Sequence, residues 1–376
     1  PLMVLPYCLE TVEYQFELML ARAGSVEALR ERPMLYMYPT SLSPLKFKPM
    51  DMEEMIQCCR YGVPMVANSL GISGGTTPMT IAGTALLAGV EIMAMVAEGR
   101  SISEYADGGC DWNALQMIET AEADAMLEVT YTDIKTGQPA TDHIRAALGR
   151  GMHVTTTNKG PLALFSNELV EMAADHGLHF LYEGTVMAGT PLLNLIRETL
   201  AGSAISEMKG ILNGTTNYIL TQMEAGMDYG AALKQAQELG YAEAVPDADV
   251  LGWDALAKVT ILANVVFGAA LSPDDSPCTG ITEITPDQII AAAADGKRHK
   301  LIGRVWRDGG DVRASVAPQL VDLDHPLAGV GGATNAMTIT TDTLGDVTIV
   351  GPGAGRRETG FSLLNDLIAI AKGSRS

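Results

Sequence analysis

The sequence predicts an α/β protein in which part of a doubly wound parallel sheet is followed by a larger α+β region. Short apolar runs alternate with helix-like segments from residue 111 to residue 184, the pattern of a parallel sheet with crossover helices. The predicted elements lengthen after Pro191, and Asp308-Gly309-Gly310 is typical of a hairpin turn. With 376 residues, 47% of them hydrophobic and 19% charged, the chain is globular and long enough for two or three domains.

The parallel part is built from six predicted segments. Their apolar spacing separates helices, with a period near four, from short strands rich in branched residues. They are helix 111–121, strand 125–131, helix 139–148, strand 153–157, helix 161–176 and strand 179–184.

The later part is predicted to mix longer helices with antiparallel strands. Thr285-Pro286 marks a helix start, because Thr caps helices and Pro suits their first turn. The predicted elements are helix 191–201, strand 204–212, helices 215–225 and 229–239, one long helix 249–267, a helix from 286 to 294, strands 300–307, 311–318, 336–341 and 347–350, and a terminal helix 359–371.

Residues 1–97 are predicted to alternate helices and short strands, with Asp51 as one helix cap. The segment from Thr77 to Ala97 is apolar and about as long as a membrane span requires. It carries Glu91 and is rich in Ala, Gly and Thr, which favours a buried helix.

Charge and cysteine content exclude several classes of partner. A net charge of −20 and a pI near 4.6 argue against nucleic acid and against an anionic membrane. The five cysteines are few and include no C-x-x-C pair, so neither a disulfide framework nor a zinc site is expected. This usage predicts a reducing, cytoplasmic setting.

The most informative motif runs from Gly240 to Asp249 and continues to Lys258. Asp254 and Lys258 are four residues apart and therefore lie on one face of a helix. Taken alone, such a pair is an ordinary surface ion pair. Here its neighbours are apolar (Leu256, Val259), and a buried lysine beside a carboxylate is typical of a proton-exchange site.

Two further motifs follow predicted strands. Asn158-Lys159-Gly160-Pro161 comes after strand 153–157, at the carboxyl end where sites of parallel sheets assemble, although a solvated loop lysine is an equally common outcome. Asn213-Gly214-Thr215-Thr216-Asn217 leads from a strand into a helix whose first N–H groups can hold an anion; the alternative is a plain capped turn.

Together these motifs resemble homoserine dehydrogenase, from about Glu98 to the C-terminus. The resemblance implies a Rossmann-like nucleotide domain, incomplete here, and an α+β catalytic and dimerisation domain. It implies NAD or NADP as cofactor, L-homoserine as substrate, L-aspartate 4-semialdehyde as product and a homodimer. Nothing in the chain discriminates NAD from NADP.

The resemblance also implies a role for each matching residue. Lys258 exchanges the proton of the substrate hydroxyl, Lys159 faces the reacting oxygen, and Asp254 orients them. The implied substrate residues are Glu243, which binds the ammonium, with Asp249, Asn213, Gly214 and Thr215. The implied cofactor residues are Thr130, Thr132, Thr156, Asn158, Lys159, Gly353 and Gly355. The implied site for Na or K is the loop that carries Glu183, Val186, Ala188 and Thr190.

The chain departs from this family in two places. Val245 stands where the family has an acidic residue, a change expected to weaken substrate positioning. No strand followed by G-x-G-x-x-G precedes Glu98, so the half of the nucleotide fold that holds the pyrophosphate is missing.

Residues 1–97 instead resemble part of a trimethylamine methyltransferase, through Pro39-Thr40-Ser41-Leu42-Ser43-Pro44-Leu45 and Gly74-Gly75-Thr76-Thr77-Pro78. That resemblance implies a TIM-barrel-like fragment, too short to close a barrel. The predicted domains are residues 1–97, the methyltransferase-like fragment; 98–182, the rest of the nucleotide domain; 183–340, the catalytic and dimerisation domain; and 341–376, which returns to the nucleotide domain.

Three functions stay open at this point. The chain is an active homoserine dehydrogenase, an inactive hybrid that cannot hold its cofactor, or a protein related to methyl transfer from a methylamine to a corrinoid partner.

Overall fold

The computed structural model describes residues 112–373 continuously and, before them, only residues 2–4, 17, 20–31, 35–37, 41–42, 46–47 and 57. The chain divides into two compact units, Pro1–Asp111 and Trp112–Ser376. In the first unit, strands β1 and β2 pair in parallel and β3 and β4 pair antiparallel. The described elements of that unit are β1 (Leu2–Val4), α1 (Val26–Glu31), β2 (Leu35–Met37), β3 (Ser41–Leu42) and β4 (Lys46–Phe47).

The TIM-barrel-like fragment predicted for residues 1–97 falls mostly outside the described residues and stays a prediction. The apolar segment 77–97 also lies outside them. In the part of the chain that the structure does describe, no helix is both long and apolar enough to cross a bilayer.

The second unit begins with a three-stranded parallel sheet in the order β5-β6-β7. Its elements are α2 (Ala114–Thr120), β5 (Ala125–Glu128), α3 (Ala140–Gly149), β6 (His153–Thr156), α4 (Lys159–Asp175) and β7 (Phe180–Leu181). Asn113 starts α2 with a capping box that includes Gln116. β6 ends two residues before Asn158 and β7 ends two residues before Glu183, so this sheet edge carries part of the site.

A short irregular segment joins the two layers of this unit. A 3₁₀ turn spans Glu183–Thr185, and α5 (Leu192–Asn194) continues into a π-turn over Leu195–Thr199. The sequence predicts one regular helix over 191–201, and the structure corrects this, because the hydrogen bond from Leu200 N–H returns five residues to Leu195 O.

The larger layer is a five-stranded antiparallel sheet in the order β10-β9-β8-β11-β12, with helices on one face. Neighbouring strands pair along most of their length. β9 and β10 form a hairpin whose pairing runs from Asp308 opposite Asp311 to Lys297 opposite Asp322. The elements are β8 (Ile205–Ile211), α6 (Gly214–Glu224), α7 (Tyr229–Glu238), α8 (Asp247–Val250), α9 (Trp253–Val265), α10 (Pro286–Ala294), β9 (Lys297–Asp308), β10 (Asp311–Asp322), β11 (Thr334–Thr341), β12 (Gly345–Pro352) and α11 (Arg356–Ala371).

The single long helix predicted over 249–267 is wrong at its beginning. The structure has two helices, α8 and α9, separated by Gly252 at φ +88°. A residue in the left-handed conformation cannot continue a right-handed helix, and only glycine adopts that conformation without a steric penalty. Because of this break, Asp249 and Asp254 lie on two separate helices, and both side chains reach Asn213.

One continuous core joins both layers. Helix α9 is buried along almost its whole length and packs between α4 and the hairpin of β9 and β10. Gly303 of β9 allows this close approach, because a Cβ there would lie 2.7 Å from Val259 Cγ1. Lys258 is therefore carried on a helix that neighbouring elements hold on several sides.

Candidate active site

The charged centre of the site is Asp254, which lies between two lysines. Lys258 Nζ donates to Asp254 Oδ2 at 2.7 Å, and Lys159 Nζ lies 3.5 Å from Asp254 Oδ1. Lys159 occupies the first turn of α4, directly after its capping residue Asn158. The structure thus brings together the two lysines that the sequence singles out about a hundred residues apart.

Lys258 is 7% exposed, and its ammonium also donates to Leu212 O at 2.6 Å. An ammonium has three N–H donors, and the described residues take two of them. The third donor is available to the cavity that Lys258 lines.

The pKa values of the Asp254 and Asp249 carboxyl groups are shifted in opposite directions. Burial opposes ionisation of Asp254, but the ammonium groups of Lys258 and Lys159 outweigh it and hold the pKa of that carboxyl below its usual range. Burial and the charge of Asp254 raise the pKa of the Asp249 carboxyl. Asp254 therefore stays an anion, whereas Asp249 takes a proton more readily.

Asn213 ties the carboxylates to helix α6. Its side-chain amide donates to Asp249 Oδ1 at 2.6 Å and to Asp254 Oδ2 at 3.0 Å, and its Oδ1 accepts the N–H of Thr216. Asn213 is thus the N-cap of α6 and the link between α8 and α9. The hydroxyl of Thr215 lies 3.1 Å from Asp249 Oδ2 and 2.6 Å from Tyr241 O.

These residues line one cavity of about 850 Å³. That volume is within the range of ligand pockets and exceeds what a four-carbon amino acid needs, so it leaves room for a second ligand. The predicted residues on its wall are Lys258, Lys159, Asp254, Asp249, Asn213, Gly214, Thr215, Glu243, Thr132, Ala188, Gly353 and Gly355. Glu243 and Val245 both lie on the exposed rim.

Three predicted cofactor residues lie beside the cavity rather than on its wall. The hydroxyl of Thr130 contacts the carboxylate of Glu128, and Thr156 Oγ1 donates to Glu128 O at 2.9 Å. Asn158 Nδ2 donates to Tyr131 O at 3.0 Å. These contacts fix the carboxyl ends of β5 and β6.

The predicted cation loop is buried. Glu183 Oε1 and Oε2 accept the N–H groups of Leu193 and Asn194, at 3.2 and 2.7 Å. Burial raises the pKa of Glu183 to about 7, although the Asn194 N–H opposes this. Each carboxylate oxygen thus accepts one N–H from the first turn of α5. Main-chain carbonyls would supply the other donors to a cation, a set that suits a weakly held monovalent ion.

Among the described residues, no group of three or more His, Cys, Asp or Glu side chains is placed to hold a metal. The rest of the predicted cation loop is a tight turn. Thr190 N–H donates to Met187 O at 2.8 Å, and Met187 has φ +55°. Val186, Ala188 and Thr190 are buried.

The structure adds residues to the wall that the sequence argument missed. Thr157 follows β6 directly and Thr185 lies four residues after β7, so the rule that sites form at the carboxyl ends of parallel strands could have found them. Thr359 in the first turn of α11 and Asn335 on β11 carry no comparable signal. The further wall residues are Ile134, Thr157, Gly184, Thr185, Leu239, Gly240, Tyr241, Ala242, Ala248, Ala333, Asn335, Ala354 and Thr359.

Comparison with known proteins identifies the family. The homoserine dehydrogenase family model matches residues 191–368. The NAD(+)-dependent homoserine dehydrogenase of Pseudomonas canavaninivorans is 50% identical over 255 residues, which cover 68% of this chain and 72% of that protein. The chain belongs to the homoserine dehydrogenase family.

Solved structures agree with this membership. A putative homoserine dehydrogenase from Archaeoglobus fulgidus superposes with a TM-score of 0.67 at 39% identity, covering 75% of this chain and 83% of that one. A hyperthermophilic archaeal homoserine dehydrogenase in complex with NADPH gives a TM-score of 0.64 at 29% identity, covering 75% and 82%.

The homoserine dehydrogenase function predicted from the motifs is confirmed by these relatives, as is an α/β fold with a Rossmann-like parallel sheet and an antiparallel sheet. The resemblance of residues 1–97 to a trimethylamine methyltransferase stays a prediction.

Proposed function

We propose that this homoserine dehydrogenase interconverts L-homoserine and L-aspartate 4-semialdehyde in the cavity around Lys258, with NAD or NADP. A nicotinamide dinucleotide, when bound, would supply or accept the hydride at C4 of the substrate. The observation that carries the proposal is the third donor of the buried Lys258 ammonium, which has no acceptor among the described residues and is available to the cavity that Lys258 lines.

The proton step is clearest in the direction of aldehyde reduction. Hydride addition to C4 turns the aldehyde oxygen into an alkoxide, and Lys258 donates its third proton to that oxygen, which yields the alcohol. In oxidation the same nitrogen receives the hydroxyl proton. Asp254 keeps its charge throughout because its pKa is held below the usual range.

Lys159 supplies a second positive charge to the same step. It shares Asp254 with Lys258, so two ammonium groups face this one carboxylate. A fixed positive charge in a partly dehydrated cavity stabilises an alkoxide.

The polar ends of the substrate have matching partners in this scheme. The first N–H groups of α6, at Gly214 and Thr215, suit the α-carboxylate, because a helix N-terminus attracts anions. Glu243 on the rim takes the substrate ammonium. Asn213 and Thr215 hold the Asp249 carboxyl group near this ammonium. Val245 offers no charge to assist Glu243.

The cofactor occupies the side of the cavity formed by the parallel sheet and the Gly-rich loop before α11. Thr132, Lys159, Gly353 and Gly355 line this side, while Thr130, Thr156 and Asn158 hold its backbone. A monovalent cation (Na or K) bound by carbonyls of Glu183, Val186, Ala188 and Thr190 would fix the turn between the two layers. The predicted domain boundaries at 98, 183 and 341 belong to this proposal.

The proposal includes a cytoplasmic homodimer formed through the five-stranded sheet. The cysteine usage supports a reducing compartment. Alternate residues of β9, such as Arg304 and Trp306, point away from the main core that holds Val305, and they offer a sheet face to a second copy.

The test is homoserine-dependent reduction of NADP and NAD by the full-length chain, followed by absorbance of the reduced cofactor. Lys258→Met is expected to lower kcat by about 10²- to 10⁴-fold, the usual contribution of a positioned acid or base. Lys234→Met is the matched control, because Lys234 is exposed and pairs only loosely with Glu238 at 3.9 Å. Equal turnover of the two variants would refute the role of Lys258, and a folded wild-type chain without turnover would refute the activity.

A further inference from the structure

Asn335 is a buried amide whose polar atoms are both unpaired. It is 1% exposed, and neither Nδ2 nor Oδ1 has a hydrogen-bond partner among the residues that the structure describes. Buried side-chain amides are nearly always paired, so an unpaired one calls for an explanation.

The other buried asparagines show that this fold satisfies such amides elsewhere. Asn264 exchanges two hydrogen bonds of 2.9 Å with the backbone of Leu271, and Asn217 Nδ2 has carbonyl acceptors at 3.0 to 3.2 Å. Asn158 and Asn213 are likewise paired. Asn335 therefore differs from its counterparts within one and the same core.

Asn335 lies on the wall of the catalytic cavity. It is the second residue of β11, opposite Gly351 of β12, and Ala333, two residues earlier, packs on Gly214 at the start of α6. Its amide is pressed against Gly353: a Cβ at Gly353 would lie 2.0 Å from Asn335 Nδ2 and 2.2 Å from Cγ. Gly353 thus makes room for this side chain at the cofactor side of the cavity.

The chemistry of the amide selects among the groups that the cavity must receive. Oδ1 only accepts and Nδ2 only donates, so full pairing needs a ligand with a donor and an acceptor side by side. The substrate ammonium is all donor and the substrate carboxylate all acceptor, and either would leave half of the amide unpaired. A carboxamide has both groups at matching separation.

We propose that Asn335 binds the carboxamide of the nicotinamide ring through two hydrogen bonds and thereby orients the face of the ring toward the substrate. This inference rests on the proposed function. It assigns Asn335 as a cofactor-positioning residue and gives Gly353 the role of accommodating the amide of Asn335.

Isothermal titration calorimetry on the full-length chain tests this with two ligands: NAD or NADP, whichever wild type binds more tightly, and its 3-acetylpyridine counterpart. The counterpart keeps the carbonyl but replaces the amide nitrogen with a methyl group. Asn335→Leu, of similar size, removes both hydrogen bonds to the natural cofactor and one to the analogue. At about fivefold per hydrogen bond, affinity is expected to fall about 25-fold for the natural cofactor and about fivefold for the analogue.

Asn335→Asp is expected to reverse which of the two ligands loses more affinity. A carboxylate still accepts from the carboxamide NH₂ but faces the carbonyl of either ligand with an acceptor. The analogue, which has no NH₂, is expected to lose more affinity than the natural cofactor. This variant keeps the shape of Asn and carries the test if Asn335→Leu does not fold.

Two controls separate binding from structure. Thr338→Val, on the same strand but on its opposite face, is expected to leave both affinities unchanged. The ligand-free Asn335→Leu variant is expected to melt no lower than wild type, because it removes two unpaired buried atoms. A purely structural asparagine would lower that melting temperature instead.

The outcomes are distinct from those of the proposed function. Equal losses for the two ligands would overturn the assignment of Asn335, and so would a raised KM for homoserine with unchanged cofactor affinity. A wild-type chain that binds neither dinucleotide would overturn the proposed function and this inference with it.

Discussion

Single side chains set the electrostatics of this site. Asp254 lies between the ammonium groups of Lys258 and Lys159, which keep it ionised. Asp249 lies close by, but less positive charge is near its carboxyl group. Two nearby carboxyl groups with pKa values shifted in opposite directions have different roles: Asp254 anchors the ammonium groups, and Asp249 is held in place mainly by Asn213 and Thr215.

The raised pKa of Asp249 predicts how one substitution changes stability with pH. The folded chain binds the Asp249 proton more tightly than the unfolded chain, so the stabilisation is complete below the ordinary value of 3.8 and is lost as pH rises through the folded pKa. Asp249→Asn removes this dependence. The unfolding free energy of the variant relative to wild type is therefore expected to increase with pH, by about 1.4 kcal/mol for each unit of pKa shift.

Urea unfolding of both proteins measures this over a pH range that begins below 3.8, because the dependence lies between that value and the folded pKa. A constant difference between variant and wild type over the whole range would contradict the raised pKa. A difference that decreased with pH would give the shift the opposite sign.

At the level of elements, the sequence predicts what is local and misses what depends on tertiary contact. The helix after Thr285 is predicted from its capping residue and its apolar period. The helices that begin at Lys159 and Gly214 are predicted from the apolar period, which starts them at 161 and 215, one or two residues late. The break at Gly252 was missed because the apolar period continues through it. Asn335 was missed because an unpaired amide is visible only once its surroundings are known.

The motifs supplied most of the candidate site for a similar reason. Lys258, Asp254 and Asn213 stand in short segments with distinctive spacing, so a resemblance could assign them. Thr130, Thr156 and Asn158 stand in the same kind of segment, yet none of the three lines the cavity, and their side chains bind groups at the ends of β5 and β6. Spacing gives the strand end but not the direction in which each side chain points.

The turn between α8 and α9 gives the prediction at this scale. Gly252→Ala must adopt φ +88° and place a Cβ 3.0 Å from Cys278 Sγ and 3.2 Å from Val316 Cγ1. A left-handed alanine alone costs about 1–2 kcal/mol. The variant is therefore expected to lose more than that in unfolding free energy, and also turnover, because α8 and α9 carry Asp249 and Lys258.

Gly268→Ala is the matched control for this experiment. Its φ is +69°, but a Cβ there meets nothing within 4 Å, so it reports backbone strain without crowding. Denaturant midpoints and kcat of both variants separate the two effects. Equal destabilisation of the two variants, with turnover kept in both, would show that the turn at Gly252 does not position the site.

At the scale of the whole molecule, charge governs how copies of the chain associate. Each chain carries a net charge of −20, so a homodimer brings two strongly acidic bodies together. The proposed interface itself is locally balanced: Arg304 binds Glu207 through two hydrogen bonds of 3.0 and 2.9 Å and lies 4.4 Å over the ring of Trp306. Long-range repulsion therefore opposes association while the contact face does not.

Screening of that repulsion yields the last prediction. The Debye length falls from about 14 Å at 0.05 M salt to about 4 Å at 0.5 M, so added salt is expected to strengthen the dimer. Light scattering after gel filtration at low micromolar concentration should give a mass closer to twice 39.8 kDa at high salt than at low salt.

Arg304→Glu tests whether the sheet face is the interface. It places an acidic side chain beside Glu207 on this face, and like charges brought together at an interface oppose association. This variant is expected to stay monomeric at both salt concentrations, with Lys234→Glu as the control because Lys234 is exposed and lies on helix α7 rather than on the sheet. A wild-type mass of 39.8 kDa at every salt concentration would exclude the homodimer, and a dimer that Arg304→Glu leaves intact would place the interface elsewhere.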